Sequence, residues 1–176
     1  IREFTTLNPG TIGGHSKTII GNKNLFMAYV HIAHDCVVGN ECILANNATL
    51  GGHVELGDYV NIGGLTPVHQ FVKIGSGCMV AGGSVLTQDL PPYCLAEGNR
   101  AYIRGLNKHR MRKLFTREEI DEISHLYKIL FSHTAPIREL AQQELDKNPN
   151  PISRSICEFI LSNTRGIPLN KGTQSE

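Results

Sequence analysis

No stretch of this 176-residue chain stays apolar for long enough to cross a bilayer, and no charged-then-apolar leader opens it. The expectation is a protein without an integral membrane segment. None of the five cysteines (Cys36, Cys42, Cys78, Cys94 and Cys157) belongs to a CxxC pair, which argues against a zinc–thiolate site. Their odd count favours free thiols and a reducing compartment, here the cytoplasm. Acids are missing between Glu97 and Glu118, where seven bases stand instead: Arg100, Arg104, Lys108, Arg110, Arg112, Lys113 and Arg117. Such a run suits an anionic partner, a phosphate or an acidic protein, unless it is simply a solvated face. Nucleic acid is not expected, because the chain carries a formal charge of only +1 and shows no nucleic-acid-binding motif. From Ile19 to Leu90 the three-and-four recurrence of an amphipathic helix is also missing, which rules out an ordinary α-helix there.

That same stretch instead repeats every six residues, twelve times without a break: IIGNKN, LFMAYV, HIAHDC, VVGNEC, ILANNA, TLGGHV, ELGDYV, NIGGLT, PVHQFV, KIGSGC, MVAGGS, VLTQDL. The second place is always large and apolar, from Ile20, Phe26 and Ile32 through to Val80 and Leu86. The sixth is mostly small or β-branched, as in Val30, Cys36, Cys42, Ala48, Val54 and Val60; three of the cysteines sit there as compact hydrophobes. A fixed six-residue period points to a parallel β-helix whose large and small inward places stack coil upon coil. Three hexads make one triangular coil, so twelve make four. The period does not determine the hand of the coil.

The chain starts without Met and already in register, Ile1 and Leu7 being six apart, and is expected to be a fragment of a longer β-helix. Residues 8–17 (NPGTIGGHSK) break the period with Pro9, Gly10, Gly13 and Gly14. They form a loop inserted at a coil corner, either functional or a tolerated surface insertion. The repeat stops at Pro91-Pro92, and from about Arg104 the pattern becomes helical. Thr116-Arg-Glu-Glu119 is a capping box before Ile120, Ile123, Tyr127 and Leu130. Further helices are expected over 135–145 and from Asn150-Pro151, with Ile152, Ile156, Phe159 and Ile160 inward. The expected architecture is therefore mainly β: a β-helix over 1–98 and a small α-helical bundle over 99–176 that covers its end. Charge is divided along the same line. Residues 1–99 carry four Lys/Arg against seven Asp/Glu, and residues 100–176 thirteen against nine.

Residues eighteen apart lie one above another in such a prism, separated by roughly the ~4.8 Å strand spacing. His34, Gly52 and Gln70 are stacked in this way, with Asp35, His53 and His69 as neighbours and His31 opening the His34 hexad. Three readings of this edge are open. In the first, His34 is a general base, oriented by Asp35, and a backbone N–H near Gly52 stabilises an oxyanion. In the second, the imidazoles hold a metal. In the third, they only decorate the surface.

The runs HIAHDCVVGNECILANNATLGGHVELGD, VHQF, DLPPY and EGNRA, with GLN at 105–107 and SNTRGI near the C-terminus, resemble the UDP-N-acetylglucosamine 3-O-acyltransferase family. The resemblance implies a left-handed coil and a homotrimer with active sites between neighbouring subunits. It implies transfer of a 3-hydroxyacyl chain from acyl carrier protein to the glucosamine 3-hydroxyl of UDP-N-acetylglucosamine, which opens lipid A biosynthesis. On this chain the family's base falls on His34, its supporting carboxylate on Asp35 and its oxyanion N–H on Gly52. His31, His53, His69 and Gln70 fall on positions that hold the sugar nucleotide or the acyl and pantetheine arm. Gly82 falls where the acyl groove ends, and the absence of a side chain there implies a long acyl chain. Asn107 matches a uridine contact, and Arg110, Arg112 and Lys113 the region that meets nucleotide phosphates and acyl carrier protein. The resemblance implies no metal and no resident cofactor, since the pantetheine arm arrives with the donor. Two residues depart from the pattern: Arg100 stands where a His is often seen, and His109 where some relatives carry a carboxylate. The N-terminal part of the family's chain has no counterpart here. Two alternatives use the same fold. A related UDP-acylglucosamine N-acyltransferase lacks the His31/His34 pairing. A γ-type carbonic anhydrase needs two histidines five apart, and His31, His34, His53 and His69 contain no such pair.

Overall fold

The computed structural model describes residues 1–169, so 170–176 of the expected helical unit lie outside the described residues. The strands are two residues long and open the hexads. They are β1 (Thr6–Leu7), β2 (Ile19–Ile20), β3 (Leu25–Phe26), β4 (His31–Ile32), β5 (Val37–Val38), β6 (Ile43–Leu44), β7 (Thr49–Leu50), β8 (Glu55–Leu56), β9 (Asn61–Ile62), β10 (Pro67–Val68), β11 (Lys73–Ile74) and β12 (Met79–Val80). Every third strand pairs in parallel, His31 with Thr49 and Thr49 with Pro67, eighteen residues apart. Three sheets result: β1-β4-β7-β10, β2-β5-β8-β11, and a third that runs through β3, β6, β9 and β12. The chain is thus a left-handed parallel β-helix of about four turns followed by helices.

The second and sixth places of the hexads fill the prism. Ile32, Cys36, Leu44, Ala48, Leu50 and Val54 are fully buried, and all five cysteines are buried and unpaired. A turn between these places makes each corner, and its fifth-place residue takes the left-handed backbone region in hexad after hexad. At the first corner, between the first and second sheets, those residues are Asp35, His53 and Phe71 (φ 59°, 60° and 65°). Asp and His tolerate this region better than most side chains.

The insertion lies at this same corner. Thr6 pairs with His31, 25 residues on rather than 18, so seven extra residues sit between Leu7 and Ile19, one coil before the His34 turn.

The β-structure extends further than the sequence suggests. After Pro91-Pro92, β13 (Cys94–Glu97) still joins β12 in parallel, and β14 (Tyr102–Leu106) turns back antiparallel to β13. Residues 102–106 are therefore strand, although the sequence pattern places the start of the helical unit at 99 and of its helical character near Arg104. The added hairpin covers the otherwise unpaired edge of β12, a local gain that a helical period cannot reveal. The helices are α1 (Lys108–Leu114), α2 (Arg117–Leu130), α3 (Ile137–Asp146) and α4 (Pro151–Ser162). The capping box is formed in both directions: Glu119 N–H donates to Thr116 Oγ1 (3.3 Å), and Thr116 N–H to Glu119 Oε2 (2.7 Å). Asn150 caps α4 by accepting from Ser153 N–H (2.9 Å).

The bundle does more than cover an end. α4 runs beside the second sheet, leaving a groove of about 410 Å³ between Ser155, Phe159 and Ser162 on one side and Glu55 and Lys73 on the other. The chain leaving α4 is clipped to the last coil by buried Asp89, which accepts from Lys73 N–H (2.8 Å), Thr164 N–H (3.0 Å) and Arg165 N–H (3.2 Å). The clip brings Arg165 to the first corner, beside His69.

Candidate active site

The first corner carries His34 on one coil, Gly52 and His53 on the next, and His69, Gln70 and Phe71 on the third. His34 Nδ1 lies 2.8 Å from Asp35 Oδ2; the histidine side chain is 44% exposed, whereas the carboxylate is fully buried. The inserted loop supplies the other donors to that carboxylate. Thr11 N–H bridges Oδ1 and Oδ2 at 3.1 Å each, and Thr11 Oγ1–H donates to Oδ2 at 2.7 Å. Burial alone would push the Asp35 carboxyl up. Hydrogen bonds from the His34 ring, the Thr11 hydroxyl and the Thr11 N–H, with His53 nearby, outweigh burial and hold it well below the usual carboxylate range. An ionised Asp35 accepts a hydrogen bond from Nδ1–H, which fixes the His34 tautomer and leaves the Nε2 lone pair free.

Gly52 lies against that free nitrogen. A Cβ built on it would stand 2.7 Å from His34 Cε1 and 2.8 Å from Nε2, so only glycine fits beneath the ring. Its N–H donates to no acceptor among the described residues. The second corner, between the second and third sheets, provides a contrast. There the equivalent N–H groups of Asn22, Asn40 and Asp58 are accepted by Asn40 Oδ1 (2.8 Å), Asp58 Oδ1 (2.7 Å) and Ser76 Oγ (3.1 Å) of the next coil. A free N–H beside a bare imidazole nitrogen is an arrangement chemically suited to hold an oxyanion next to a base. Gly52→Ala is accordingly expected to displace the His34 ring and lower turnover by about tenfold or more, with the solenoid intact, as a paired kinetic and thermal-unfolding measurement would register.

The remaining first-corner residues surround this pair. His53 stacks on Phe71 (ring centroids 4.6 Å apart), meets the His34 ring edge-on at 5.2 Å and has Nε2 3.9 Å from Asp35 Oδ2. His15 of the loop approaches His53 to 5.8 Å. His31 Nδ1 is 2.7 Å from Thr6 Oγ1. His69 Nδ1 has both the Gln70 carbonyl (3.1 Å) and Arg165 Nη2 (3.2 Å) in reach; the first needs a donor and the second an acceptor, so one tautomer serves only one of them.

His34, Asp35 and His53 each place one ligand atom within 4.8 Å of the others, a spacing that metal ligands also show. The Asp35 oxygens already accept from three donors, the Thr11 N–H, the Thr11 hydroxyl and the His34 ring.

Other residues singled out in the sequence lie elsewhere on the chain. Gly82 is at the third corner, between the third and first sheets, where a Cβ would meet only Gly64 O (3.3 Å) and Gly64 N (3.6 Å). Asn107 caps α1, accepting from Arg110 N–H (3.2 Å) and donating to Gly77 O (2.9 Å), which ties α1 to the second corner. Arg110 lies over the Tyr59 ring at 5.6 Å with a buried Nε that has no partner among the described residues, and Arg112 and Lys113 are exposed on α1. A single chain thus gathers the His34 set at one corner and leaves Gly82 and the α1 residues at the other two. Thr11 and Phe71 were not singled out from the sequence. Counting the register back from His31 to Thr6 is the signal that would have placed the loop, and Thr11 with it, over Asp35.

The comparisons with known proteins fit this geometry. Residues 89–168 match the family model of UDP-N-acetylglucosamine O-acyltransferase domain 2, and residues 17–52 the bacterial transferase hexapeptide model. A solved UDP-N-acetylglucosamine acyltransferase from Campylobacter jejuni superposes with a TM-score of 0.92 at 53% identity, over 96% of this chain and 67% of that one. The chain belongs to the UDP-N-acetylglucosamine O-acyltransferase family. A further crystal structure of a UDP-N-acetylglucosamine acyltransferase aligns with a TM-score of 0.95 at 60% identity, over 96% of this chain and 66% of that one. Among curated proteins, the acyl-[acyl-carrier-protein]–UDP-N-acetylglucosamine O-acyltransferases of Helicobacter pylori (strain Shi470) and Helicobacter acinonychis are 61% and 66% identical over 95% of the chain. The chain spans 62% of the length of each of these two relatives. Membership of this family does not favour the N-acyltransferase or carbonic anhydrase alternatives. No helix among the described residues is long and apolar enough to cross a membrane.

Proposed function

We propose that this chain carries the base and oxyanion donor of an acyltransferase that moves a 3-hydroxyacyl group from acyl carrier protein to the glucosamine 3-hydroxyl of UDP-N-acetylglucosamine. The observation that carries this reading is the His34 Nδ1–Asp35 contact of 2.8 Å, which frees Nε2 beside the unpaired Gly52 N–H. In the reaction, Nε2 takes the proton of the sugar hydroxyl as its oxygen attacks the thioester carbonyl. Asp35 stabilises the imidazolium, and the Gly52 N–H donates to the oxyanion. Collapse of the tetrahedral adduct breaks the C–S bond, and His34 returns the proton to the departing pantetheine sulfur. The step calls for no metal, no resident cofactor and no covalent enzyme intermediate.

A homotrimer accounts for the scatter of site residues over three corners, since a neighbouring copy would bring its own Gly82 or α1 residues toward a first corner. The bases Arg110, Arg112 and Lys113 suit the phosphates of the nucleotide and the acidic surface of the carrier protein. Unpaired buried thiols suit the reducing cytoplasm. The reaction would be the first step of lipid A biosynthesis.

The test is transfer of 3-hydroxyacyl chains of several lengths from acyl carrier protein to UDP-N-acetylglucosamine by the protein that carries this chain. Product acylated at the 3-oxygen supports the reading; an intact protein that transfers nothing overturns it. The open surface at Gly82 leads to a second expectation. Gly82→Met should shift the preferred donor to a shorter chain without abolishing transfer, as competition between donors would record.

A further inference from the structure

The reading of His34 as general base leaves one conspicuous contact without a role. The loop over residues 8–17 interrupts an otherwise regular coil; its tip at Ile12 and Gly13 is exposed, but Thr11 and Gly14 on either side of that tip face the solenoid. It reaches over to the following coil and closes on Asp35: Thr11 donates twice, through N–H and Oγ1, and Gly14 packs so closely that a Cβ there would lie 2.5 Å from Asp35 Cγ and Oδ2. Under this cover Asp35 is fully buried, while His34, one residue before it, remains 44% exposed on its side chain. A carboxylate removed from water is costly to keep ionised unless donors replace the solvent. Besides Thr11, the donors facing it are the His34 ring and, at 3.9 Å, His53 Nε2 from the next coil; His15 of the loop is in turn next to His53.

We propose that Thr11 is a positioning residue for acyl transfer, acting through Asp35 to keep His34 in the tautomer whose Nε2 is free to accept the substrate proton. The inference rests on His34 being the base. Thr11 Oγ1 shares Oδ2 with the His34 ring, so it fixes both the direction in which that oxygen presents its second lone pair and the plane of the carboxylate. The backbone N–H of Thr11 spans both oxygens and prevents the carboxylate from rotating away. The loop is thereby part of the catalytic centre and not a tolerated insertion.

Thr11→Val keeps the shape and the N–H but removes the hydroxyl. It is expected to lower kcat about ten- to hundredfold with little change in KM, and to move the acid limb of the kcat profile to higher pH. Both consequences of losing the donor act in that direction. A less satisfied carboxylate holds the imidazolium more tightly, and it also takes up a proton more easily itself. Thr11→Ser restores the hydroxyl and should restore rate and profile. Gly14→Ala keeps the hydroxyl but pushes the loop off the carboxylate, and should reproduce the Thr11→Val shift. Thermal unfolding and oligomeric state are followed in every variant. A fall in rate that only tracks loss of folded protein, with an unmoved pH profile and no rescue by serine, overturns the proposal, as does a wild-type rate in Thr11→Val. His34→Ala is measured alongside. If His34→Ala retains a near-normal rate, the base assignment fails. If it is inactive while Thr11→Val is normal, only the role of Thr11 fails.

Discussion

Replacing His34 by alanine is expected to reduce acyl transfer by about 10²–10⁴-fold, the usual contribution of a positioned general base. The loss should appear in kcat, because the proton is taken in the transition state and not on binding. The fold should survive: the His34 side chain is almost half exposed, makes no contact in the solenoid core, and leaves Asp35 still held by both Thr11 donors. Steady-state kinetics beside circular dichroism and sedimentation separate the two effects. A His34→Ala protein with a rate near that of the parent would remove the mechanism, because no other bare imidazole nitrogen lies against the Gly52 backbone among the described residues.

The second large effect is expected from Asp35→Asn, which changes neither size nor backbone preference, since asparagine accepts the left-handed conformation of this position (φ 59°) readily. What changes is the direction of hydrogen bonding. With the amide oxygen in the Oδ1 position it still accepts from Thr11 N–H, and the NH₂ in the Oδ2 position donates to His34 Nδ1 and to a Thr11 hydroxyl turned to accept. The ring then accepts at Nδ1 and carries its proton on Nε2, where the substrate hydroxyl needs a base. The wrong tautomer is expected to cost about 10²–10⁴-fold in kcat, and the double variant His34→Ala/Asp35→Asn should be little worse than His34→Ala.

The same substitution has a pH signature in stability. The folded Asp35 carboxyl is held below the ordinary carboxylate value of about 3.9, so its ionisation stabilises the fold above that pH. This contribution shrinks as pH falls toward the folded value. The stability gap between the parent and Asp35→Asn should therefore be full near neutrality and narrow steadily in acid, as urea midpoints at several pH values would show. A gap that widens in acid would mean that the buried carboxylate is not stabilised by its donors.

The two variants probe one site whose members were unequally visible in the sequence. His34, Asp35 and Gly52 stand out because a strict six-residue period forces residues eighteen apart into a stack, and a stack of imidazole, carboxylate and glycine is chemically specific. Asn107 stood out by resemblance, yet in the structure its side chain caps α1 and bonds Gly77, a local contact that no motif comparison displays. Thr11 was hidden for the opposite reason. It lies in the one segment that interrupts the solenoid, and its partner is 24 residues away, so neither period nor local spacing connects the two.

The sequence by itself determined the triangular coil, its register, the inward second and sixth places, the capped helix at Thr116 and the corner on which the histidines gather. It did so because repetition carries its own geometry: once one hexad makes a strand and a turn, the next must lie beneath it. Tertiary structure alone decided that β13 and β14 extend the third sheet, that α4 lies along a side of the prism, and that the loop closes on Asp35. It also decided that the α1 bases stand away from the His34 corner. Those outcomes depend on how aperiodic segments fold back on the finished solenoid, where burial of an edge, a cap or a carboxylate selects the contact.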